Sequence, residues 1–421
     1  GRPASATIRN VRVLDPVAGI DEVRDLTITD GVIGGEGGES VDGSGLIAVP
    51  GFVDPHVHLR VPGREDTEEI ATGTAAAAAG GFVTVVAMPN TEPPIDCASV
   101  LGRVMEIAEV EARVRVGFLP AITVGQNGEG LTEQGEMAEL GAVGFSDDGV
   151  PVANAEVMRR ALQYQQITGR PLVLHEEDID LSGSGVMHEG PVSARLGMAG
   201  IPSLSESIAV ARDAALAGLE GGWIHICHVS ARETVEEIRR AKDRGVRISG
   251  EVTPHHLALT DEVVVELDPR RHKMNPPLRS AEDRQALIEA LADGTLDCIA
   301  TDHAPHASQE KDEPFEQAPF GVIGLETAFA VCNTYLVERG RLALATLVRR
   351  MGADAARVLG LPEPSLVAGA PADVALIDPA AEVVVGDGGF ESKSANSAFL
   401  GATLKGRVEM TFAGGQLAWR R

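Results

Sequence analysis

The chain has 421 residues, 44% of them hydrophobic, and a formal net charge of −26 at pH 7. This charge argues against nucleic acid or an anionic membrane as a partner, because either would be repelled over most of the protein surface. No apolar stretch is long enough to span a bilayer and the first residues lack a signal-peptide pattern, so we expect a cytoplasmic protein.

The first elements in chain order are strands of a small β domain. Residues 7–14 alternate apolar and polar side chains, and residues 25–31 repeat the pattern up to an Asp-Gly turn. Residues 373–412, near the other end of the chain, have a similar pattern of strands and turns. We therefore expect residues 1–49 and 363–421 to form one small β-sandwich that is discontinuous in sequence.

Between these flanks, short apolar runs rich in β-branched residues alternate with segments of helical periodicity. The predicted helices are 67–79, 155–168, 204–219, 232–244 and 281–293. The predicted strands are 46–53, 82–88, 114–119, 142–146, 171–174, 223–227, 246–252 and 296–300. This alternation predicts a (β/α)8 TIM-type barrel over residues 50–362. A doubly wound open sheet is the alternative, but the Gly-rich phosphate turn that normally follows its first strand is absent.

A His-x-His motif, His56 and His58, follows the first predicted barrel strand. Side chains alternate faces along a strand, so the two imidazoles point the same way and could share one cation. Taken alone, such a pair is more often two ordinary hydrogen-bonded histidines. The metal interpretation therefore needs further donors.

Further donors follow the later predicted strands. Asp147 or Asp148 follows strand four, His175 follows strand five, His228 strand six and Asp302 strand eight. The carboxyl ends of barrel strands meet at one mouth, so six nitrogen or oxygen donors would converge there. Imidazole and carboxylate without thiolate suit zinc, and six donors exceed what one catalytic ion normally takes from a protein. We therefore expect two Zn²⁺ ions per subunit.

Two cations at close range need a bridging anion. Related barrels often use a carboxylated lysine, but strand four contains none; the five lysines of the chain are Lys242, Lys273, Lys311, Lys393 and Lys405. A carboxylate must then bridge. Strand parity favours Asp148, which shares its face with Gly144 and Ser146, over Asp147, which shares a face with the bulky Phe145.

Among the other histidines, we expect His188, His225 and His272 to be structural. His225 has the opposite strand parity to His228, which would place it against the helix layer. His255 and His256 follow strand seven, where they would either orient ligands or make plain hydrogen bonds.

Several motifs occur together in this one chain. They are His-Val-His-Leu-Arg (56–60), Met-Pro-Asn-Thr (88–91), Phe-Ser-Asp-Asp-Gly (145–149), His-Glu-Glu-Asp (175–178), Cys-His-Val-Ser (227–230), Asn-Pro-Pro-Leu-Arg (275–279) and Thr-Asp-His-Ala-Pro-His (301–306). Together they resemble the type I dihydroorotases of the amidohydrolase superfamily, and the likeness runs through nearly the whole chain. The Asp-Asp-Gly, Asn-Pro-Pro-Leu-Arg and Asp-His-Ala-Pro-His stretches carry most of it, since His-x-His alone is shared by several superfamily members.

This resemblance implies reversible cyclisation of N-carbamoyl-L-aspartate to dihydroorotate and water in pyrimidine synthesis, with zinc as cofactor. It implies that one metal is held by His56, His58, Asp148 and Asp302, and the other by Asp148, His175 and His228. Asp148 would then be the bridge. Asp302 would also be the catalytic group that moves a proton to the departing ring nitrogen in the hydrolytic direction.

A substrate site beside the metals is implied as well. Arg60 offers a cationic fork for the free carboxylate, Asn90 and His306 add donors, and Asn275 would read the amide edge of the ring. The alternatives without a binding role are a surface ion pair for Arg60 and a turn-forming role for Asn90. For Asn275 and His306 the alternative is hydrogen bonding within loops.

The long loop 304–325 could close over this site. In the resembling family, Phe320 and Gly321 would offer backbone contacts to the substrate. The alternative is a solvated surface loop, because loops of this length vary.

Two rival functions remain at this point. One is a related cyclic-amide hydrolase acting on hydantoin, dihydropyrimidine or allantoin, and the other is an inactive barrel that serves as an assembly subunit. The missing strand-four lysine weighs against the first, and the complete ligand set against the second. The sequence leaves open whether the chain forms a homo-oligomer, and whether it associates with aspartate transcarbamoylase as some type I relatives do.

Overall fold

The computed structural model describes residues 3–421. Its strands are β1 (Ala6–Asp15), β2 (Ile20–Thr29), β3 (Val32–Ile33), β4 (Glu39–Asp42), β5 (Ile47–Pro50), β6 (Phe52–Val57), β7 (Phe82–Ala87), β8 (Arg115–Phe118), β9 (Leu172–Leu174), β10 (Met187–His188), β11 (Gly200–Ile201), β12 (Trp223–Ile226), β13 (Arg247–Val252), β14 (Cys298–Ile299), β15 (Val374–Val384), β16 (Thr403–Ala413) and β17 (Gln416–Arg420). Its α-helices are α1 (Ile70–Ala79), α2 (Ala98–Glu111), α3 (Gln134–Leu140), α4 (Ala155–Thr168), α5 (Ile179–Ser182), α6 (Pro191–Leu196), α7 (Leu204–Glu220), α8 (Arg232–Asp243), α9 (Pro254–Ala258), α10 (Pro269–His272), α11 (Ala281–Asp293), α12 (Ser308–Lys311), α13 (Ala328–Cys332), α14 (Leu344–Met351) and α15 (Ala353–Arg357). Short 3-10 turns lie at Val124–Gln126 and Asp261–Glu266, and a π-helical turn at Asn333–Val337.

Strands from the two ends of the chain form one sheet in the order β17-β16-β15-β5-β1-β2-β3, with β4 parallel to β1. The two ends join where β5 and β15 pair in antiparallel fashion, with Ala48 opposite Leu376. An apolar core that includes Ile8, Leu26 and Phe412 is buried in this domain. The alternation of side chains along these strands therefore produces the β-sandwich expected from both chain ends.

The central part of the chain closes into a (β/α)8 barrel. Strands β6, β7 and β8 are parallel, as are β9, β12, β13 and β14. The extended residues 142–146 fill the fourth position, where the Val143 N–H donates to the strand before it and the Phe145 N–H to the strand after it. The ring closes where the His58 N–H donates to the His303 carbonyl at 2.9 Å. The predicted fold class is confirmed.

The predicted helices correspond to α1, α4, α7, α8 and α11. Helix α4 has the predicted bounds because Asn154 caps its first turn and the left-handed Gly169 ends it. Helix α11 is bounded in the same way by the Ser280 capping box and Gly294. Within residues 3–421, every helix is too short or too polar to cross a membrane.

The first predicted barrel strand, 46–53, is wrong. The apolar run divides at Gly51: β5 belongs to the β domain, and the barrel strand β6 follows it. The Gly51 N–H donates to the Asp373 carbonyl at 2.9 Å, and a Cβ at Gly51 would lie 2.2 Å from Val83. Only glycine fits so close a passage between the two domains. As a consequence, His56 lies within the barrel strand and not after it.

Candidate metal centre

Asp148 lies between two pairs of histidines at the mouth of the barrel. Its Oδ2 atom is 3.4 Å from Nε2 of both His56 and His58. Its Oδ1 atom is 3.6 Å from Nε2 of His228 and 3.7 Å from Nδ1 of His175. Two ligand atoms about 2.1 Å from a tetrahedral zinc ion lie about 3.4 Å apart. Each pair of histidines is therefore spaced to share a cation with one oxygen of Asp148.

Asp302 joins the first of these two groups. Its Oδ1 atom is 3.1 Å from Nε2 of His56 and 3.0 Å from Nε2 of His58. The backbone of Asp302 has φ 52° and that of His228 has φ 29°, a region that residues other than glycine adopt rarely and that is enriched at functional sites. The structure thus brings all six predicted donors into one cluster.

The carboxylates of the cluster are held in their ionised form. Burial alone would raise the pKa of Asp148, but the surrounding histidines, His56 first, hold that pKa well below its usual value. Burial acts on Asp302 in the same direction and is likewise outweighed by His56 and His58, so its pKa is also well below the usual value. Two anionic oxygen donors therefore face the imidazoles in a buried site.

The donor set fits divalent metal ions. Ligand atoms of His56, His228 and Asp302 lie within 4.8 Å of one another, as do those of Asp148, His175 and His228. In the described chain, His56 Nε2 and Asp148 Oδ1 are buried and make no hydrogen bond. Buried polar atoms without partners are costly, and a cation at each pair of histidines would satisfy one of these two atoms.

Asp147, the competing candidate, has a different role. Its carboxylate accepts hydrogen bonds from the backbone N–H groups of Ile122 and Thr123, at 2.8 and 3.0 Å, and from the Thr123 hydroxyl. Asp147 thereby fastens the loop after β8 beneath the mouth. Asp147 and Asp148 therefore have different surroundings, and metal binding by Asp148 stays a prediction.

Glu251, which the sequence analysis did not single out, supports the cluster from inside the barrel. Its fully buried carboxylate accepts from Nδ1 of His56 at 2.6 Å, from Nε2 of His225 at 2.9 Å and from the His228 N–H at 3.2 Å. Burial opposes ionisation, but His56 and His225 lower the pKa of Glu251 to about 2. A lone carboxylate in the apolar run 246–252 was the available signal, because a buried charge needs partners.

The expectation for His225 is wrong. Its side chain points not to the helix layer but to Glu251 and to the Ser249 hydroxyl, which is 2.7 Å from Nδ1. The parity argument failed because β12 ends at Ile226, so His228 lies beyond the strand, where alternation no longer holds.

Two further contacts orient ligand histidines. Nδ1 of His58 is 2.8 Å from Oδ1 of Asn90, and Nε2 of His175 is 2.8 Å from Oε2 of Glu177. Such partners fix the tautomer and leave the other ring nitrogen to face a metal. Glu177 also accepts from Nδ2 of Asn275 at 3.1 Å, which joins the predicted substrate-reading residue to the metal cluster.

Arg60 stands beside the cluster as a cation without a carboxylate partner among residues 3–421. Its Nε donates to the Pro305 carbonyl at 3.0 Å, and its Nη2 lies 3.3 Å from Nε2 of His306. Burial lowers the pKa of Arg60 to about 10, so it stays charged. Burial and Arg60 lower the pKa of His306 to about 2, so His306 is neutral and donates to the Phe320 carbonyl at 2.8 Å.

Phe320 and Gly321 lie beside His306, which contacts Arg60. Some of their backbone groups already make hydrogen bonds within the protein. The Phe320 carbonyl accepts from His306, and the Gly321 N–H donates to the Lys273 carbonyl at 3.0 Å. Their contact with a substrate stays a prediction.

Known proteins resemble this chain at two levels. The chain matches the Dihydro-orotase-like family over residues 45–234. A dihydroorotase of Anaeromyxobacter dehalogenans (strain 2CP-1 / ATCC BAA-258) is 50% identical over 419 residues, which cover 97% of this chain and 96% of that protein. A dihydroorotase of Geobacter sp. (strain M21) is 48% identical over 98% of this chain and 99% of its own length. Among solved structures, the L-hydantoinase (dihydropyrimidinase) from Arthrobacter aurescens has a TM-score of 0.87 at 24% identity, over 98% of this chain and 96% of its own, which is a likeness of fold.

The Asp148→Asn variant tests the bridging position. We expect metal affinity to fall by more than about 100-fold, because the variant loses one negative charge and one oxygen donor between the two pairs of histidines. Loss of a residue that only orients a metal ligand costs up to about 100-fold. Metal analysis after dialysis measures this. The matched Asp147→Asn variant should keep its metal and lose about 1–3 kcal/mol of unfolding free energy instead. Equal metal content in both variants would contradict the assignment.

The Glu251→Gln variant tests the support of His56. We expect a loss of about 10- to 100-fold in metal affinity, since the amide holds the imidazole less firmly than the carboxylate does. Competition with a metal chelator measures the affinity. Glu326→Gln is the control and should bind metal as the unmodified chain does, because Glu326 is a half-buried glutamate that accepts from the N–H groups of Glu391 and Ser392. If both variants behave alike, Glu251 has no special role.

Proposed function

The chain belongs to the dihydro-orotase-like family, and from this membership we propose that it is a zinc-dependent dihydroorotase. It would interconvert N-carbamoyl-L-aspartate with (S)-dihydroorotate and water, as a step of pyrimidine (UMP) biosynthesis in the cytoplasm. The observation that carries the proposal is the position of Asp148, whose two oxygens face two separate pairs of histidines. Identity near 50% over almost the whole length supports the same reaction in this chain.

The residues that would hold two zinc ions are those of the cluster. One ion would be held by His56, His58, Asp148 and Asp302, and the other by Asp148, His175 and His228. When bound, the ions would polarise the carbonyl under attack and lower the pKa of a water molecule. The bridging anion, which a lysine could not provide here, would be the Asp148 carboxylate.

Arg60 and its neighbours would bind the substrate's free carboxylate. A guanidinium binds a carboxylate through two parallel N–H donors, and Arg60 has no protein carboxylate competing for them in the described part of the chain. His306 stays neutral and carries no charge into the pocket. A local positive site is thereby available to an anion despite the net charge of −26.

Asp302 would move the proton. In the hydrolytic direction, a water oxygen attacks the ring amide carbonyl and Asp302 accepts the proton that the water loses. Asp302 then donates this proton to the ring nitrogen as the C–N bond breaks, and synthesis follows the reverse path. The accepting role requires Asp302 in its ionised, carboxylate form.

A direct assay tests the proposed function. The purified, zinc-loaded protein should interconvert dihydroorotate and carbamoyl-aspartate, lose this activity after chelation and recover it on adding zinc. Absorbance of the ring amide measures the reaction. Turnover of hydantoin, dihydrouracil or allantoin without turnover of dihydroorotate would overturn the proposal in favour of a related cyclic-amide hydrolase.

Asp302→Asn and Arg60→Lys should separate proton transfer from binding. For Asp302→Asn we expect kcat to fall by about 100- to 10,000-fold, since the proton acceptor is lost, with partial retention of substrate binding. For Arg60→Lys we expect the opposite pattern, a higher KM at similar kcat, since one ammonium cannot replace the planar fork. A wild-type rate for Asp302→Asn would remove the assigned base.

A further inference from the structure

The loop 304–325 is fastened by buried polar side chains that the proposed mechanism does not use. Lys311 is 1% exposed and Lys273 is 2% exposed, although only five lysines occur in the whole chain. Asn396, from the segment between β15 and β16, is 4% exposed and also contacts this loop. Burying an ammonium is expensive unless its donors are satisfied, so the contacts of these side chains indicate what they hold in place.

Lys311 holds three backbone carbonyls at once. Its Nζ donates to the carbonyls of Pro269, Lys273 and Pro319, at 2.9, 3.1 and 2.8 Å. An ammonium has three donors, so all of them are used. Pro319 directly precedes Phe320, and the Lys273 carbonyl also accepts from the Gly321 N–H at 3.0 Å. Lys311 therefore holds the backbone directly before Phe320, and it holds Gly321 indirectly through the Lys273 carbonyl.

Lys273 adds a second cation to the same loop. Its Nζ donates to the Glu316 carbonyl at 3.1 Å and lies 4.7 Å from the centre of the Phe320 ring. The ring of Phe320 is thus held on one side by a cation–π contact, while its carbonyl is held by His306.

Asn396 is a residue of the β domain that bridges the two ends of the loop 304–325. Its Nδ2 donates to the carbonyls of Ala304 and Gly321, each at 3.1 Å, and its Oδ1 accepts from the His306 N–H at 3.3 Å. The backbone is tightly packed at Gly321, because a Cβ there would lie 2.8 Å from Cβ of Ala304 and 2.9 Å from Nε2 of His306. Gly321 has φ 139°, which also favours glycine.

We propose that Lys311 and Asn396 are positioning residues that set the backbone of Phe320 and Gly321, and with it His306, against Arg60. They thereby shape the subsite for the substrate's free carboxylate without touching the substrate. This inference rests on the proposed function. It extends the substrate site to a side chain of the β domain, Asn396, which lies 90 residues along the chain from His306.

Matched variants test this proposal in the zinc-loaded protein. Lys311→Met and Asn396→Ala should each raise the KM for dihydroorotate by about 10-fold or more, with kcat within about 3-fold and the metal content unchanged, because a displaced carboxylate site weakens binding before it weakens chemistry. Lys311→Arg should recover part of the loss, because it keeps the charge and several donors.

Two remote residues with similar contacts serve as controls. Lys242 donates to the carbonyls of Gly294 and Thr295 and also to the Asp297 carboxylate, and Asn333 donates to the carbonyls of Pro379 and Lys405; neither residue bonds to the loop 304–325. Lys242→Met and Asn333→Ala should lower stability and leave KM unchanged. If the controls raise KM as much as the test variants do, the effect is general loosening and the proposal is overturned. An unchanged KM in Asn396→Ala overturns it as well, and this variant decides the matter if Lys311→Met does not fold.

Hydrogen exchange distinguishes failure of this proposal from failure of the proposed function. Peptides that cover residues 315–325 should exchange faster in Lys311→Met and Asn396→Ala than in the controls, whatever the substrate is. If the unmodified protein does not turn over dihydroorotate, the proposed function fails, and exchange alone decides whether these residues hold the loop. Equal exchange in all variants would refute the positioning role.

Discussion

The carboxylate of Asp148 is buried between two pairs of imidazoles. The other features of the site follow from the negative charge at this buried position. A buried anion at this point needs cationic or hydrogen-bonding partners on both sides, and four histidines supply them. The histidines in turn need their outer nitrogens held. Glu251, Asn90 and Glu177 hold three of them, and Glu251 is itself satisfied by His225. Hydrogen-bonded polar side chains therefore lead from the mouth down into the barrel interior.

Much of this arrangement follows from local sequence. Apolar runs with a polar residue at their carboxyl end predicted both the barrel and the mouth at which His175 and Asp302 are found, because parallel strands align their ends. Caps such as Asn154 and Ser280 fixed helix bounds to the residue. Parity also favoured Asp148 over Asp147, because that choice depends on two adjacent positions of one segment. The family and the fold class were also confirmed, because the motifs that indicate them occur together in one chain.

What local sequence did not predict depends on contacts between distant segments. Glu251 meets His56 from 195 residues away, and nothing beside Glu251 in the sequence indicates which strand it will face. His225 was misplaced because a strand ended two residues before the histidine used to fix the parity. The barrel strand β6 was misplaced because an unbroken apolar run serves two domains, and its division at Gly51 is set by a close approach of Val83. Lys311 and Asn396 gave no sequence signal, since a lysine in a charged loop and an asparagine between strands are ordinary.

The discontinuous β domain has a consequence for the order in which the protein is completed on the ribosome. When residue 360 has been synthesised, every histidine and aspartate of the cluster is present, yet β5 still lacks its neighbour β15 and the loop over the mouth still lacks Asn396. The side chains of the cluster are therefore made early, whereas the pocket proposed for the substrate is completed only by a later part of the chain. Translation that stops short of those strands would leave a polypeptide that has every side chain of the cluster but lacks the contacts of Asn396 that complete the proposed pocket.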